Sequence, residues 1–185
     1  MGCFERSLSH MGAQCVILGE GIKDWVNSRD KPRLIAQAAR EAKTEFLMYA
    51  DSRDAILVRP PATVIEKYLS HFDAGLLFGA DRLSWPPDRA QTRYEDQLGG
   101  DAQFRYLNAG AWIGRRSFVE RFFAEAQQCA PVSSAADSEQ GVVRQLLPKW
   151  KDQVAMDYRC EIFFNIGYLL NPVPIYQINL SMETA

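Results

Sequence analysis

Histidine is scarce. His10 and His71 are the only two in 185 residues, which argues against a His-rich metal site and against most Ser-His-Asp chemistry. The four cysteines, Cys3, Cys15, Cys129 and Cys160, are widely spaced and form no CxxC pair. Structural zinc and a disulfide framework are therefore not indicated, and buried or incidental thiols are expected. No apolar run approaches the roughly 20 residues that cross a bilayer. Residues 1–10 lack the basic start and apolar stretch of a secretory signal, so a cytoplasmic location is expected. The net charge of −2 gives no general reason to expect nucleic acid or anionic membrane as a partner. Internal repeats, low-complexity tracts and linkers are also absent, so residues 1–185 are expected to form one domain.

What is present is an alternation of strand and helix character. Residues 15–18 (CVIL) are a short apolar run closed by Gly19 and Gly21. Pro32 suits a first helical turn, with Leu34, Ile35, Ala38, Ala39 and Ala42 following at helical spacing. Residues 46–50 (FLMYA) form a second apolar run that ends abruptly in Asp51, and residues 55–58 (AILV) resume it. Pro60 and Pro61 open another helix. Residues 74–78 read as a buried strand, and residues 81–105 as a long irregular polar loop. Residues 107–113 are a strand interrupted by Gly110. Phe118, Val119, Phe122, Phe123 and Ala126 mark an amphipathic helix, and Asp137 with Gln140 resembles a capping box. Residues 154–156 and 162–166 are strand-like. The alternation implies an α/β fold with a mostly parallel sheet, whose ligands sit beyond the carboxyl ends of its strands.

Asp51 lies at such an end, and Asp54 follows across a tight turn. Two carboxylates so placed can converge on one hard cation, magnesium or manganese, which keeps waters and substrate phosphates in its shell. The alternative is a turn in which Asp54 pairs with Arg53 or another neighbour. Asn108, before the small residues Ala109 and Gly110, could meet sugar hydroxyls or simply precede a bulge. Asp137, Glu139 and Gln140 either cap a helix or add polar groups to the same pocket. Trp85 in the polar loop and Trp25 after GEGIKD could each stack on a sugar or base, or pin a loop to the core.

Taken in order, these segments resemble the glycosyltransferase domain of the procollagen lysyl hydroxylase family, which has bacterial and viral relatives. The matching residues are Asp51-Ser52-Arg53-Asp54, Asp81 with Trp85-Pro86, and Leu107-Asn108-Ala109-Gly110 with Ile113-Gly114. Asp137-Ser138-Glu139-Gln140 and Asp157 with Ile162-Phe163-Phe164-Asn165 complete the set. The resemblance covers residues 25–165. It implies a Rossmann-like GT-A fold, a UDP-sugar donor and manganese bound by Asp51 and Asp54. Arg53 stands where the family has a uridine-contacting aromatic. Asn108, Glu139 and Gln140 match positions lining the donor-sugar pocket, and Trp85 an aromatic of the same cleft. Glu139 and Asp137 are the catalytic candidates, and Trp25 joins the donor-binding set.

Two departures stand out. The family's first strand should precede the helix containing Phe4 and Leu8, and its third metal ligand, a histidine, should lie near the domain's end. The expectation is thus a domain shortened at both ends that holds metal and donor weakly. Dimerisation would cover the strand edge exposed by a missing first strand. The leading function is a metal-dependent glycosyltransferase moving a sugar from a UDP-sugar to a hydroxyl of a glycan or protein. The alternatives are a non-catalytic sugar- or nucleotide-binding relative and a nucleotidyltransferase of related fold.

Overall fold

A computed structural model describes residues 2–167. Asn171 and Pro172, near which the family's histidine would fall, lie outside the described residues. The chain runs α1 (Cys3–His10), α2 (Asn27–Glu41), β1 (Phe46–Ala50), α3 (Pro61–His71), β2 (Leu76–Asp81) and α4 (Arg89–Gly99). It continues through β3 (Tyr106–Arg115), α5 (Arg116–Ala126), α6 (Glu139–Arg144) and β4 (Val154–Met156). No helix among the described residues is long and apolar enough to cross a membrane.

The sheet order is β1-β3-β2-β4. Every residue of β2 is buried, as its central place requires. One face carries Leu76 and Phe78, packed with Ile35 and Ala39 of α2, Phe118 and Phe122 of α5, and Val142 of α6. Leu77 and Ile113 point the other way, against Val64 and Tyr68 of α3. The 3.6-residue period of α5 produces its buried stripe of Phe118, Phe122 and Phe123. Burial of each such ring is worth about 2 kcal/mol. The result is helices on both faces of an open sheet, an α/β fold of Rossmann-like kind.

Several expectations need correction. Three strands, β1, β2 and β4, point the same way, but β3 runs against β1 and β2. Only the β2–β4 pairing is parallel. Residues 81–105 are not an irregular loop, because α4 occupies their middle. Its inward side is polar, with Glu95 fully buried, so no apolar period announces it. Helix α2 starts at Asn27, which puts Pro32 in its second turn. The start is fixed instead by Asp30, whose Oδ2 accepts the Val26 N–H at 2.8 Å. Residues 15–18 form no strand among the described residues; Val16 is 82% exposed, and only Leu18 packs on the core. Residues 162–166 likewise form no strand. No described cysteine is fully buried, and Cys3 and Cys15 are exposed.

Candidate functional site

The apolar run of β1 delivers Asp51 one residue past its carboxyl end. The Asp51 backbone N–H donates to Gly110 O at 2.8 Å, and its own carbonyl accepts from Ala55 N at 3.3 Å, closing the turn that carries Arg53 and Asp54. The Asp51 carboxylate is half-buried. Oδ1 accepts from the Tyr49 hydroxyl at 2.6 Å and from Lys31 Nζ at 3.0 Å. Its other oxygen has no donor among the described residues. Asp54 and Arg53 are exposed, and neither side chain has a partner there.

Lys31 projects from α2 into the interior and reaches Glu139 Oε1 as well, also at 3.0 Å. The geometry there is an ion pair rather than an aligned hydrogen bond, which leaves a lone pair of Oε1 uncommitted. Burial alone would lower the Lys31 pKa, but the negative charge of Glu139 and the Tyr49 and Asp51 oxygens outweigh it, and the ammonium is held above its usual range. Burial pushes the Glu139 carboxyl up, with Lys31 pulling the other way. Burial also raises the Tyr49 hydroxyl, again opposed by Lys31 and reinforced by Asp51. One cation therefore stands between two carboxylates.

The β3 strand brings its own polar groups to this edge through an irregularity. Phe78 pairs with Trp112, but the next residue, Gly79, pairs with Asn108, so three residues of β3 bulge out. The bulge turns Gly110 toward Asp51. A side chain at Gly110 would put its Cβ 2.9 Å from Asn108 Oδ1 and 3.1 Å from Asp51 Oδ2, so glycine permits the approach. Asn108 Oδ1 accepts from Gly110 N at 2.8 Å, and its amide donates to Asp81 Oδ2 at 3.3 Å. Gln140 bonds across the gap, accepting from Ala109 N at 2.9 Å and donating to Trp85 O at 2.6 Å.

The loop bearing Trp85 is firmly anchored. Arg144, fully buried, donates to Pro86 O and Ser84 Oγ at 2.7 Å each, and forks onto Glu95. Glu95 Oε1 in turn accepts from Leu107 N at 3.0 Å. The Trp85–Pro86 peptide is cis, and the Trp85 indole is 56% exposed. Asp157 is fully buried and accepts the backbone N–H groups of Glu161, Ile162 and Phe163. That fixes the segment carrying Asn165, whose amide reaches Asp81 Oδ2 at 2.6 Å.

The bonds thus link Asp51, Asn108, Glu139, Gln140 and Trp85 into one network at one sheet edge. Asp54 and Arg53 sit on the adjoining turn with free side chains. Asp137 is exposed and does not cap α6; Ser138 does, through its Oγ. Asp137 Oδ1 instead accepts the Asn27 N–H at the start of α2 at 2.5 Å. Trp25 stays apart from the network and lies against Gly19, whose lack of a Cβ leaves the ring its space. Lys31, Tyr49 and the Arg144–Glu95 pair were not foreseen; a lysine inside a helical pattern gives no sign that it is buried. Two shallow grooves of about 390 and 500 Å³ flank His71 and Phe72 and contain none of the residues assigned to metal or donor. Among the described residues no group of three or more His, Cys, Asp or Glu side chains is arranged to hold a metal.

An open sheet with carboxylates gathered beyond its β1 and β2 ends defines a Rossmann-like α/β domain. The chain belongs to the PLOD GT domain family, whose model matches residues 2–181. It is therefore a glycosyltransferase-type domain at the level of its family. It is 24% identical over 170 residues to "Uncharacterized protein R699" of Acanthamoeba polyphaga mimivirus, covering 86% of this chain and 35% of that protein. It is 21% identical over 174 residues to mouse procollagen-lysine,2-oxoglutarate 5-dioxygenase 2, covering 86% of this chain and 22% of the relative. The human counterpart is 22% identical, covering 92% of this chain and 24% of that protein. The chain thus spans about a third or less of the curated relatives it matches.

Proposed function

We propose that this domain is a metal-dependent glycosyltransferase that takes a UDP-sugar as donor and a hydroxyl of a glycan or protein as acceptor. The observation that carries the proposal is the convergence of Asp51 and Glu139 on Lys31, beside the Asn108–Gly110 bulge. The donor set suits a hard divalent cation. Asp51 keeps one oxygen without a donor, and Asp54 is exposed and unpartnered among the described residues. Manganese or magnesium would be held by Asp51 and Asp54, with phosphate and water oxygens completing its shell. Such an ion supplies charge neutralisation on the departing diphosphate.

The chain's own groups have separate tasks. Lys31 and Tyr49 fix the Asp51 carboxylate by its Oδ1, leaving Oδ2, which lies beside Gly110, without a donor among the described residues. Glu139, buried, holds Lys31 in place from the interior. Asn108 and Gln140 orient the sugar, Trp85 walls the cleft, and Arg53 and Trp25 flank the nucleotide. Asp137 lies near Asn27, about one helical turn from Lys31. It is the group available to take the proton from the acceptor hydroxyl. That oxygen forms the new bond to the sugar's anomeric carbon as the bond to UDP breaks.

The test is a thermal-shift panel of UDP-sugars with manganese and with chelator, followed by assay of UDP release. Stabilisation confined to the manganese arm, with release only when a hydroxyl acceptor is present, is expected. Equal shifts in both arms would remove the metal from the account. Binding without turnover on any acceptor would make the domain a sugar-nucleotide binder.

A further inference from the structure

The site's outer rim carries an unbalanced charge that the donor reading does not use. Arg82, Arg89 and Arg93 have no ion pair, hydrogen bond or ring contact for their guanidinium groups among the described residues. Arg40, Arg115 and Arg105 are matched, with Glu120, Glu45 and Asp96, whereas Arg53 beside Asp54 is, like the rim arginines, unpaired among the described residues. Within residues 82–93 the only acid is Asp88, and its Oδ1 is taken by the N–H groups of Ala90 and Gln91. Arg89 is the first residue of α4, whose first turn holds no acid. Arg89 and Arg93 are one turn apart and so share a face.

The same rim is apolar as well as cationic. Leu83 is 47% exposed and Trp85 56%. These side chains are not loose: Ser84 Oγ meets Thr92 Oγ1 at 2.5 Å, Ser134 Oγ donates to Pro87 O at 3.0 Å, and Arg144 and Gln140 hold the intervening carbonyls. The Ser84–Thr92 contact sets the loop beside the Arg89–Arg93 face. The bonds of Gln140 place the Trp85 carbonyl one side chain away from Ala109 in the β3 bulge.

We infer that this rim, built from Arg82, Leu83, Trp85, Arg89 and Arg93, binds the acceptor, and that the acceptor is an acidic saccharide. The inference rests on the glycosyltransferase reading for the word acceptor, but the binding surface can be scored alone. The two chemistries call for one ligand. An indole face stacks on the C–H face of a pyranose, and a guanidinium receives a carboxylate in a paired, charge-assisted geometry. A sugar carrying a carboxylate, such as a uronic acid, presents both within one ring.

The test uses the whole chain with UDP and manganese present, titrated calorimetrically with trigalacturonate and, separately, with neutral maltotriose. Trigalacturonate should bind at least about ten-fold more tightly at low salt, and the gap should narrow as salt shortens the screening length. Arg89→Gln with Arg93→Gln should abolish the gap without changing the melting temperature, since neither guanidinium has a partner to lose. Trp85→Ala should weaken both sugars. UDP affinity, measured on the same samples, should be unchanged in the arginine variant, so failure of the donor reading is visible separately. Equal affinity for the two sugars, a gap that survives the double arginine variant, or no binding of either would overturn the proposal. Tighter binding of a hexaglutamate peptide than of trigalacturonate would reassign the rim to an acidic protein and overturn it too.

Discussion

The ammonium of Lys31 and the carboxylate of Glu139 meet at 3.0 Å with both side chains under a tenth exposed. The same ammonium reaches Asp51, so this buried pair ties the start of α6 to the end of β1 through α2.

Removing the cation should leave Glu139 buried with no counter-charge. Lys31→Met is expected to cost about 3 kcal/mol of folding stability, the usual scale for stranding a buried ion. The cost should depend on pH. Burial already raises the folded-state pKa of Glu139, and loss of Lys31 raises it further. A raised acid is favourable while protonated and loses stability as pH rises above its unfolded value. Melting temperatures of wild type and variant should therefore differ more at pH 8 than at pH 5. A pH-independent difference would contradict the assignment.

Gly110→Ala separates site geometry from folding. The added Cβ would press on Asn108 Oδ1 and Asp51 Oδ2, both movable ends of side chains, and not on backbone. The fold should lose under about 1 kcal/mol, within the range of minor substitutions. UDP affinity in manganese should nonetheless fall by about ten-fold as Asp51 is displaced. Unchanged affinity would mean that the orientation of Asp51 is unimportant.

Arg144 tests the anchoring of the Trp85 loop. Arg144→Met strands Glu95 and deprives Pro86 O and Ser84 Oγ of their donors, so a loss of about 3–5 kcal/mol is expected by chemical denaturation. Glu95→Gln together with Arg144→Met should recover part of it, because no buried charge then remains. Absence of any recovery would show that the loop contacts, not the ion pair, dominate.

How much of this the sequence revealed depends on what each element rests upon. Helix α5 was legible because its apolar period is strong, and Asp51 because an apolar strand ends in it without transition. Helix α4 was not, since the groups it turns inward are Gln91, Tyr94 and Glu95, held by hydrogen bonds. Residues 15–18 carry strand composition, yet a strand exists only where another strand pairs with it. Asp51, Asn108 and Gln140 could be named individually from their motif order. Lys31 could not: its partners are Asp51 and Glu139, 20 and 108 positions away, and a lysine in a helix ordinarily reads as solvated.

The central claim is that Asp51 binds a divalent cation that bridges to the donor's diphosphate. Calorimetric titration of UDP into wild type and Asp51→Asn, each in manganese and in chelator, tests it directly. The account predicts that wild-type affinity falls by at least about ten-fold in chelator, and that the variant binds UDP weakly and equally in both buffers. Wild-type UDP affinity that is the same with manganese and with chelator would contradict it.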